Sequence, residues 1–389
     1  MSSLALQLVK LNDIKLGVAT TYNGAELQEY AKDNIIYYLI PRKKINTKYD
    51  SSLEFYWDEI VRNFLPDIIH IHGTEFAHGL ACMKVCKSQK YVISIQGLVS
   101  EISKYNYAGI NLFEFLKYTT LNDLIKMSTV IQDKKKMEIR GKYEIEYLKH
   151  ARHIIGRTSW DYAHVKTLQP KVNYHFCNEM LRDSFYSSNR WNIDDKQNYL
   201  IFMSQAKSQH KGLHILLKAM VIIKNYYPDV RLRIAGLDIT GGNKWVHRTR
   251  TYGHFIRSLL RSLQLQDSVE FLGNLNEERM AEEYRRAHVF VSPSIMENSP
   301  NSLGEAQIIG TPCVVSFVGG TPDMVNDRES GLLYRYEEYR MLAFKVIEIF
   351  QNDPLAQSLS DKSKIAASIR HNREQITTRM KNIYIKILK

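Results

Sequence analysis

The segments Tyr199-Leu-Ile-Phe-Met203 and Val230-Arg-Leu-Arg-Ile-Ala235 are short apolar runs separated by a helix-length amphipathic stretch at about 212–226. Short runs of this kind are typical of buried strands. The alternation continues through further strand-like runs at 269–272, 289–291 and 313–317, with helix candidates at about 250–264, 276–287 and 302–310. Strict alternation of strand and helix predicts an α/β fold with a parallel sheet wound on both faces.

The first half of the chain repeats this pattern more loosely. Its strand-like runs lie at 14–20, 35–40, 67–72, 91–96, 153–156 and 172–176, and the polar stretch 186–198 that follows has no clear periodicity. We therefore predict two Rossmann-like, doubly wound domains, 1–187 and 188–370, that face a cleft, with a helix at 371–389 packing back towards the first domain. Ligands bind beyond the carboxyl ends of parallel strands, so functional residues are expected on the loops that follow strands.

Composition excludes several classes of protein. The 389 residues are 44% hydrophobic and 24% charged, which is typical of a globular chain and not of a disordered one. Lys and Arg number 53 against 41 Asp and Glu, and the net charge of +12 favours an anionic partner such as a nucleotide or an acidic membrane surface. Four scattered cysteines predict a reduced, cytoplasmic protein. No apolar run approaches the roughly 20 residues that span a bilayer.

The loop after the run at 289–291 carries the most informative residues, Pro293-Ser-Ile-Met-Glu297-Asn-Ser-Pro-Asn-Ser302-Leu-Gly-Glu305. Its two glutamates, Glu297 and Glu305, have seven residues between them. Ser302 and Glu305 also have the spacing of a capping box, in which both side chains bind free amides at a helix start. Capping explains Glu305 but not Glu297, and a helix N-terminus placed after a strand suits a phosphate group.

The motifs of this half resemble the retaining glycosyltransferases of family 4, the glycosyl transferases group 1, which have the GT-B fold. The resemblance covers about 67–334 and is densest from 199 to 333. Its motifs are Lys211-Gly212-Leu-His-Ile-Leu-Leu-Lys-Ala, Pro228-Asp-Val-Arg-Leu-Arg-Ile-Ala-Gly236, Val269-Glu-Phe-Leu-Gly273, Pro293 to Glu305, Gly310-Thr-Pro-Cys-Val and Gly319-Gly-Thr-Pro-Asp-Met-Val. Each motif alone is weak, but their order and spacing together are specific.

The resemblance implies roles for particular residues. Glu305 matches the glutamate that holds the nucleotide ribose, and Glu297 matches the one that contacts the donor sugar. Lys211 matches the lysine that neutralises the diphosphate as the sugar–phosphate bond breaks. Asn301 and the amides of Ser302 and Leu303 would face the diphosphate at the helix start. An exposed lysine at the start of a helix remains the alternative for Lys211.

The chain also departs from the family pattern. Many members place Gly-Arg after the strand equivalent to 199–203, whereas this chain has Lys207 there, which lacks the bidentate geometry of arginine. Many members also end a strand of the first domain with His-Gly, and here Gln96 occupies that position. Gln96 can hydrogen-bond a hydroxyl but cannot act as an acid or base. His72 is a candidate for contacting the acceptor, with a hydrogen-bonded structural role as the alternative.

The N-terminal residues differ from the usual start of the family, which is a strand, a glycine-rich loop and a helix. Residues 2–10 are typical of a capped helix, and the run at 14–20 is typical of a strand. We expect the first strand and its glycine loop to be missing. The alternative is that 14–20 is the first strand and Asn23-Gly24-Ala25 is the loop.

These features lead us to expect a metal-independent hexosyltransferase. It would move a sugar with retention from a nucleotide diphosphate donor, used as a substrate and not a cofactor, to a hydroxyl of a carbohydrate or lipid-linked carbohydrate acceptor. Surface polysaccharide synthesis is the expected setting. Aromatic and lysine residues between Lys104 and Lys149 are consistent with peripheral contact with an anionic membrane, or with solvated helices.

Two alternatives remain open. A catalytically silent relative would bind only nucleotide or glycan. A nucleic-acid binder would explain the charge, but no such motif is present in the sequence.

Overall fold

The computed structural model describes residues 2–42, 48–241 and 251–389, and these residues form two compact units. Unit 1 contains the described residues up to Ser103, together with Lys135–Met180 and His371–Lys389. Unit 2 contains Lys104–Lys134 and the described residues of Leu181–Arg370. Each unit is therefore built from separate stretches of the chain.

The helices and strands of the first half follow one another in this order: α1 (Ser2–Leu8), β1 (Leu16–Tyr22), β2 (Gln28–Lys32), β3 (Ile35–Pro41), α2 (Ser52–Phe64), β4 (Ile68–His72), α3 (His78–Val85), β5 (Lys90–Ser94), α4 (Val99–Ile102), α5 (Leu112–Lys117), α6 (Leu121–Ile125), α7 (Val130–His150), β6 (His153–Gly156), α8 (Ser159–Leu168) and β7 (Asn173–Phe176).

The second half continues with α9 (Asp183–Ser187), β8 (Leu200–Met203), α10 (Leu213–Tyr226), β9 (Arg231–Ile234), α11 (Thr251–Ser262), β10 (Val269–Phe271), α12 (Glu277–Arg286), β11 (Val289–Ser292), α13 (Asn301–Ile309), β12 (Cys313–Ser316), β13 (Leu332–Tyr334), α14 (Tyr339–Gln351), α15 (Asp353–Arg370) and α16 (Arg373–Leu388). The strands and helices predicted here are confirmed to within a few residues; residue 250 of one helix candidate lies outside the described residues.

The sheet of unit 2 is parallel throughout, with six strands in the order β10-β9-β8-β11-β12-β13. The chain starts at β8, adds strands towards one edge, and then returns to the other side of β8 with β11. This is the order of a doubly wound sheet, as the alternation in the sequence predicts. The residues of β8, β11 and β12 are all buried, because a parallel sheet in this kind of fold is covered on both faces.

Unit 1 contains two sheets. The parallel one has the order β4-β5-β6-β7, and the other has the order β1-β3-β2 with β2 antiparallel to β3. The antiparallel strand was not predicted, since β2 lacks branched side chains and is exposed along its whole length. Residues 23–25 lead into β2 and not into a helix, so they are not the loop of a strand–loop–helix unit.

The structure differs from the predicted domain division in one segment. Residues 104–134 were expected in the first domain, but they belong to unit 2. Ile110, Phe115 and Val130 are buried in the core of unit 2, and the His214 ring is hydrogen-bonded to the Ala108 carbonyl oxygen at 2.9 Å. Burial of these apolar side chains overrides their position in the sequence. Units 1 and 2 also separate between Met180 and Leu181, a few residues before the predicted boundary near 187.

The last helix contributes to the core of unit 1. Ile376, Met380, Ile383 and Ile387 of α16 pack with Leu8 and Val92. Within the residues that the structure describes, no helix combines the length and the apolar character needed to cross a bilayer.

Candidate functional site

The candidate site of unit 2 lies where its strand order reverses, between the neighbouring strands β8 and β11. The segment after β8 ends in the 3₁₀ turn Gln209–Lys211, and the segment after β11 is the loop that carries Glu297. In doubly wound sheets the loops at this reversal diverge and leave a crevice for ligands. The topology therefore places the two most informative loops of the sequence side by side.

Lys211 and Glu297 form an ion pair at this point. The Lys211 Nζ and the Glu297 Oε1 are 2.5 Å apart, and both side chains are largely but not fully buried. The Ser294 hydroxyl donates a further hydrogen bond of 2.8 Å to the same Glu297 oxygen. A part-buried charge is costly unless it is paired, so the opposite charges of Lys211 and Glu297 compensate each other. The alternative of an exposed lysine at the start of a helix does not hold for Lys211, whose side chain is only 24% exposed and paired.

Two glycines allow the loop of Glu297 to lie close to its neighbours. A Cβ added to Gly212 would lie 1.8 Å from the Pro293 carbonyl oxygen, and one added to Gly319 would lie 1.9 Å from that of Glu297. Both have positive φ, at 72° and 51°. Only glycine tolerates both conditions. The Ile295 amide also donates to the His210 carbonyl oxygen at 2.8 Å, which ties the loops together.

Glu305 lies inside helix α13, which begins at Asn301 with Pro300 as its N-cap. The capping box proposed for Ser302 and Glu305 is therefore not formed. The Glu305 Oε1 instead accepts a hydrogen bond from the Arg182 Nε at 3.0 Å and forms an ion pair with the Arg182 Nη2 at 2.9 Å. The Tyr284 hydroxyl lies 3.5 Å from the other carboxylate oxygen.

Burial controls the charge of Glu305. Removal from water raises the pKa of the Glu305 carboxyl to about 7, while the positive charge of Arg182 acts in the opposite direction. Near neutral pH, the ionisation of the Glu305 carboxyl therefore depends on the charge of Arg182. Its less engaged oxygen remains the better acceptor for an incoming hydroxyl.

The other candidates from this half occupy different environments. Asn301 and Lys207 are exposed, and Ser302 is partly buried in the first turn of α13. The Leu303 amide donates to the Pro300 carbonyl oxygen at 3.0 Å, so it is already engaged in the tight start of the helix. The Ser302 carbonyl oxygen accepts a hydrogen bond from the Tyr284 hydroxyl at 3.0 Å, which fixes the first turn.

In unit 1 the two acceptor-side candidates belong to one polar cluster. Gln96 follows β5, and its amide nitrogen donates to the Glu179 Oε1 at 2.5 Å. The Arg157 Nη1 is 2.9 Å from the other oxygen of Glu179, and its Nη2 reaches the Gln96 side-chain oxygen at 3.3 Å. A small cavity beside these groups is lined by His72, Arg157, Asn178 and Glu179.

The two histidines of β4 have different surroundings. The His70 ring is hydrogen-bonded on both nitrogens, to the Tyr384 hydroxyl at 2.7 Å and the Ser94 hydroxyl at 2.6 Å. It is a structural histidine. His72 stacks on it with ring centres 3.9 Å apart. Burial lowers the pKa of His72 to about 4, so the ring is neutral at pH 7, despite the opposing effect of Glu179.

Sequence reasoning missed Arg182, Arg157 and Glu179. Arg157 and Glu179 follow the short strands β6 and β7, and Arg182 directly precedes α9. None of them lies in a recognisable motif, and their partners are not close to them in the sequence. The sequence contained one indirect signal. Glu305 lies in an apolar helix, and a buried carboxylate requires a cation or a hydroxyl group nearby. That rule demands a partner but does not name it.

Comparison with known proteins agrees with these features. Residues 184–365 match the family described as glycosyl transferases group 1. A D-inositol 3-phosphate glycosyltransferase of Corynebacterium diphtheriae is 32% identical over 151 residues, which are 39% of this chain and 34% of that protein. A putative colanic acid biosynthesis glycosyltransferase, WcaL of Escherichia coli, is 29% identical over 43% of this chain and 38% of its own. The match thus spans only about a third of the length of these curated relatives.

Solved structures resemble a larger part of the chain. Sucrose-phosphate synthase from Thermosynechococcus elongatus superposes with a TM-score of 0.71 over 98% of this chain and 92% of its own, at 18% identity. Anabaena HepE in complex with UDP and glucose superposes with a TM-score of 0.66 over 98% of this chain and 94% of its own, at 14% identity. At such low identity the likeness establishes the fold and nothing finer.

Proposed function

We propose that the chain is a retaining glycosyltransferase, because residues 184–365 match the family described as glycosyl transferases group 1 and the fold is GT-B. It would move a hexose-type sugar from a nucleotide diphosphate to a hydroxyl of a carbohydrate or lipid-linked carbohydrate. The observation that carries this proposal is the Lys211–Glu297 pair at the strand reversal of unit 2.

The charges of this pair suit the two ends of the bond that breaks. When the sugar–phosphate bond breaks, the electron pair goes to the phosphate oxygen and the anomeric carbon becomes cation-like. The Lys211 ammonium would stabilise the negative charge that grows on the leaving diphosphate. The Glu297 carboxylate would hold the donor sugar and favour the positive charge that develops on its ring. The acceptor oxygen then bonds to the anomeric carbon, and the acceptor proton leaves with the diphosphate.

The remaining candidates would position the substrates. Glu305 would accept hydrogen bonds from the two ribose hydroxyls, with the positive charge of Arg182 favouring its ionised form. Asn301 and the Ser302 amide would lie beside the diphosphate at the start of α13, and the Leu303 amide contributes less because it is engaged with Pro300. Lys207 would add positive charge without a fixed geometry. In unit 1, Gln96 and His72 would contact hydroxyl groups on the acceptor side.

We further propose that the reaction needs no metal ion, since Lys211 supplies the charge for the diphosphate. Donor turnover that survives chelation by EDTA supports this, and activity that returns only with a divalent cation contradicts it. The similarity to WcaL favours a role in polysaccharide biosynthesis. The proposed location is the cytoplasmic side of a membrane, where lipid-linked acceptors are available.

A thermal-shift panel of UDP-, GDP- and ADP-sugars tests the donor assignment. A ligand that binds only the folded protein raises its stability with the logarithm of ligand concentration over the dissociation constant. We expect one nucleotide class to raise the Tm, and Glu305→Ala to abolish that rise. Glu329→Ala removes an exposed glutamate of the same unit and serves as the control. A Tm rise that survives in Glu305→Ala removes the ribose assignment.

A second candidate function is binding of nucleotide or glycan without transfer. It is favoured by the ion pair itself, because Lys211 and Glu297 already neutralise each other, and by Lys207 in place of an arginine. Radiolabelled donors distinguish the two functions. Release or transfer of labelled sugar by the purified protein, lost in Lys211→Ala, supports the enzyme; saturable binding without turnover supports the silent relative.

A further inference from the structure

Exposed apolar side chains are concentrated in one short stretch of unit 2. Nine of the 24 large apolar side chains that are exposed among the described residues lie between Tyr105 and Ile131. The most exposed are Phe113 at 78%, Leu121 at 79% and Ile125 at 81%. Scattered exposed apolar residues are ordinary, whereas a dense cluster of them marks an interaction surface.

Helix α6 is amphipathic in the reverse sense, and α5 exposes most of its apolar residues. On α6, the side chains of Leu121, Leu124 and Ile125 have helical spacing and face water, while Asp123 is only 2% exposed. A helix on the surface of a protein in water normally buries its apolar stripe and exposes its charges. On α5, Phe113 and Leu116 are exposed on the side away from the buried Phe115.

Specific contacts hold the helices in this orientation. The Asp123 carboxylate accepts hydrogen bonds from the Thr120 amide and hydroxyl at 3.0 and 2.8 Å, and from the Thr251 hydroxyl at 3.2 Å. Between the helices, the Tyr118 hydroxyl donates to the Ser258 hydroxyl at 2.9 Å. The outward display of apolar residues is therefore built into unit 2 and does not result from a loosely attached segment.

Lysines accompany this surface. Lys117 and Lys126 are exposed in the same stretch and the exposed Lys104 directly precedes it, whereas Glu114 is the one exposed acidic residue of the stretch among those described. Apolar side chains with lysines beside them match the boundary of a bilayer that contains anionic lipids, with the side chains among the acyl chains and the ammonium groups at the phosphates. The net charge of +12 acts in the same direction at longer range.

We propose that the α5–α6 surface, formed by Phe113, Leu116, Leu121, Leu124 and Ile125, inserts into an anionic lipid bilayer. Lys117 and Lys126 contact the lipid phosphates beside it. The role of this insertion rests on the proposed function, because a lipid-linked acceptor would be presented at the boundary of the bilayer. The insertion itself is a property of this surface and is measured without any sugar substrate.

Flotation with vesicles measures the binding. We expect the full chain to float with vesicles of phosphatidylglycerol and phosphatidylcholine, and the double variant Phe113→Ser/Ile125→Ser to lose at least about tenfold in affinity. The matched control is Phe55→Ser/Ile369→Ser, which removes two strongly exposed residues of the same types elsewhere and should bind as the unmodified protein does. Lys117→Glu/Lys126→Glu should weaken binding most at low salt.

Insertion is separated from surface adsorption by fluorescence. In Phe113→Trp, the added indole should shift its emission to shorter wavelength on anionic vesicles and be quenched by lipids brominated in the acyl chain. Absence of vesicle binding at low salt, equal binding by the serine double variant, or an unshifted emission overturns the proposal. Self-association that the serine variant abolishes, without vesicle binding, assigns the surface to a second copy of the chain instead.

The outcome is independent of the donor assignment. The serine variant should keep the Tm rise with the matching nucleotide, because its substitutions lie outside the candidate site. Loss of vesicle binding with an intact nucleotide response shows that the surface has been disabled while the donor site remains. Vesicle binding without any nucleotide response would leave the surface standing and remove the proposed function.

Discussion

The pairing of Glu305 with Arg182 links nucleotide binding to pH. Burial raises the pKa of Glu305 to about 7, and the Arg182 guanidinium opposes this rise. Only the ionised carboxylate accepts hydrogen bonds from both ribose hydroxyls, so nucleotide affinity should fall as the pH drops through about 7. In Arg182→Gln the opposing charge is absent, the pKa rises further, and the pH at which affinity is half lost moves upward.

Calorimetric titration of the matching nucleotide across this pH range measures that shift. Arg182→Lys keeps a positive charge and should leave the pH dependence nearer to that of the unmodified chain. A purely structural role for Arg182 would lower affinity equally at every pH, and this result would contradict the linkage. The sequence predicts Glu305 as a candidate for binding the ribose, but it does not predict how the charge of Glu305 is controlled, because only folding brings Arg182 next to it.

At the scale of elements, the loop between β11 and α13 depends on close backbone approach. Gly319→Ala would place a Cβ against the Glu297 carbonyl oxygen, and the loop must then move. In this variant the nucleotide sugar should raise the Tm no more than the nucleotide without its sugar does, because Glu297 would no longer contact the donor sugar. Gly273→Ala has a similarly positive φ but nothing within 4 Å of the added Cβ, so it supplies the backbone strain without the clash.

Both variants should lose stability through strain, by about 1–3 kcal/mol, but Gly273→Ala should keep its discrimination for the sugar. Equal behaviour of the two would mean that close packing at Gly319 does not position Glu297.

Element types were largely predictable, because buried parallel strands have short apolar runs. The exceptions have physical causes. The strand β2 is exposed and was missed, although the positive φ values of Asp33 and Asn34, at 53° and 60°, belong to a two-residue hairpin turn that this residue pair favours. The Ser302–Glu305 spacing fits a capping box, but Pro300 begins the helix earlier and moves both residues inside it.

At the scale of the whole molecule, the assignment of 104–134 could not be predicted, since only the packing of Phe115 and Val130 in the core of unit 2 reveals it. Separate cores predict separate responses to substitution. In scanning calorimetry the matching nucleotide should raise the temperature of the transition that belongs to unit 2. We expect Phe115→Ala to lower the temperature of that same transition, because the substitution reduces the free energy of unfolding by about 3–5 kcal/mol. Leu148→Ala, in a core of unit 1, should lower the other transition.

A single transition that responds equally to both substitutions would contradict independent cores. The variant Leu148→Ala also separates the roles of the two units. It should disturb Gln96 and His72 of unit 1, while unit 2 keeps its response to the nucleotide.

The packing of α16 against Leu8 and Val92 has a consequence for synthesis of the protein on the ribosome. A nascent chain emerges from its N-terminus, so the apolar side chains of α1 and β5 are synthesised well before the helix that covers them. During that interval they are available to chaperones and to other nascent chains. Slow translation ahead of residue 373 would lengthen this exposure, and a chain released before α16 is made would present an incomplete core to cellular quality control.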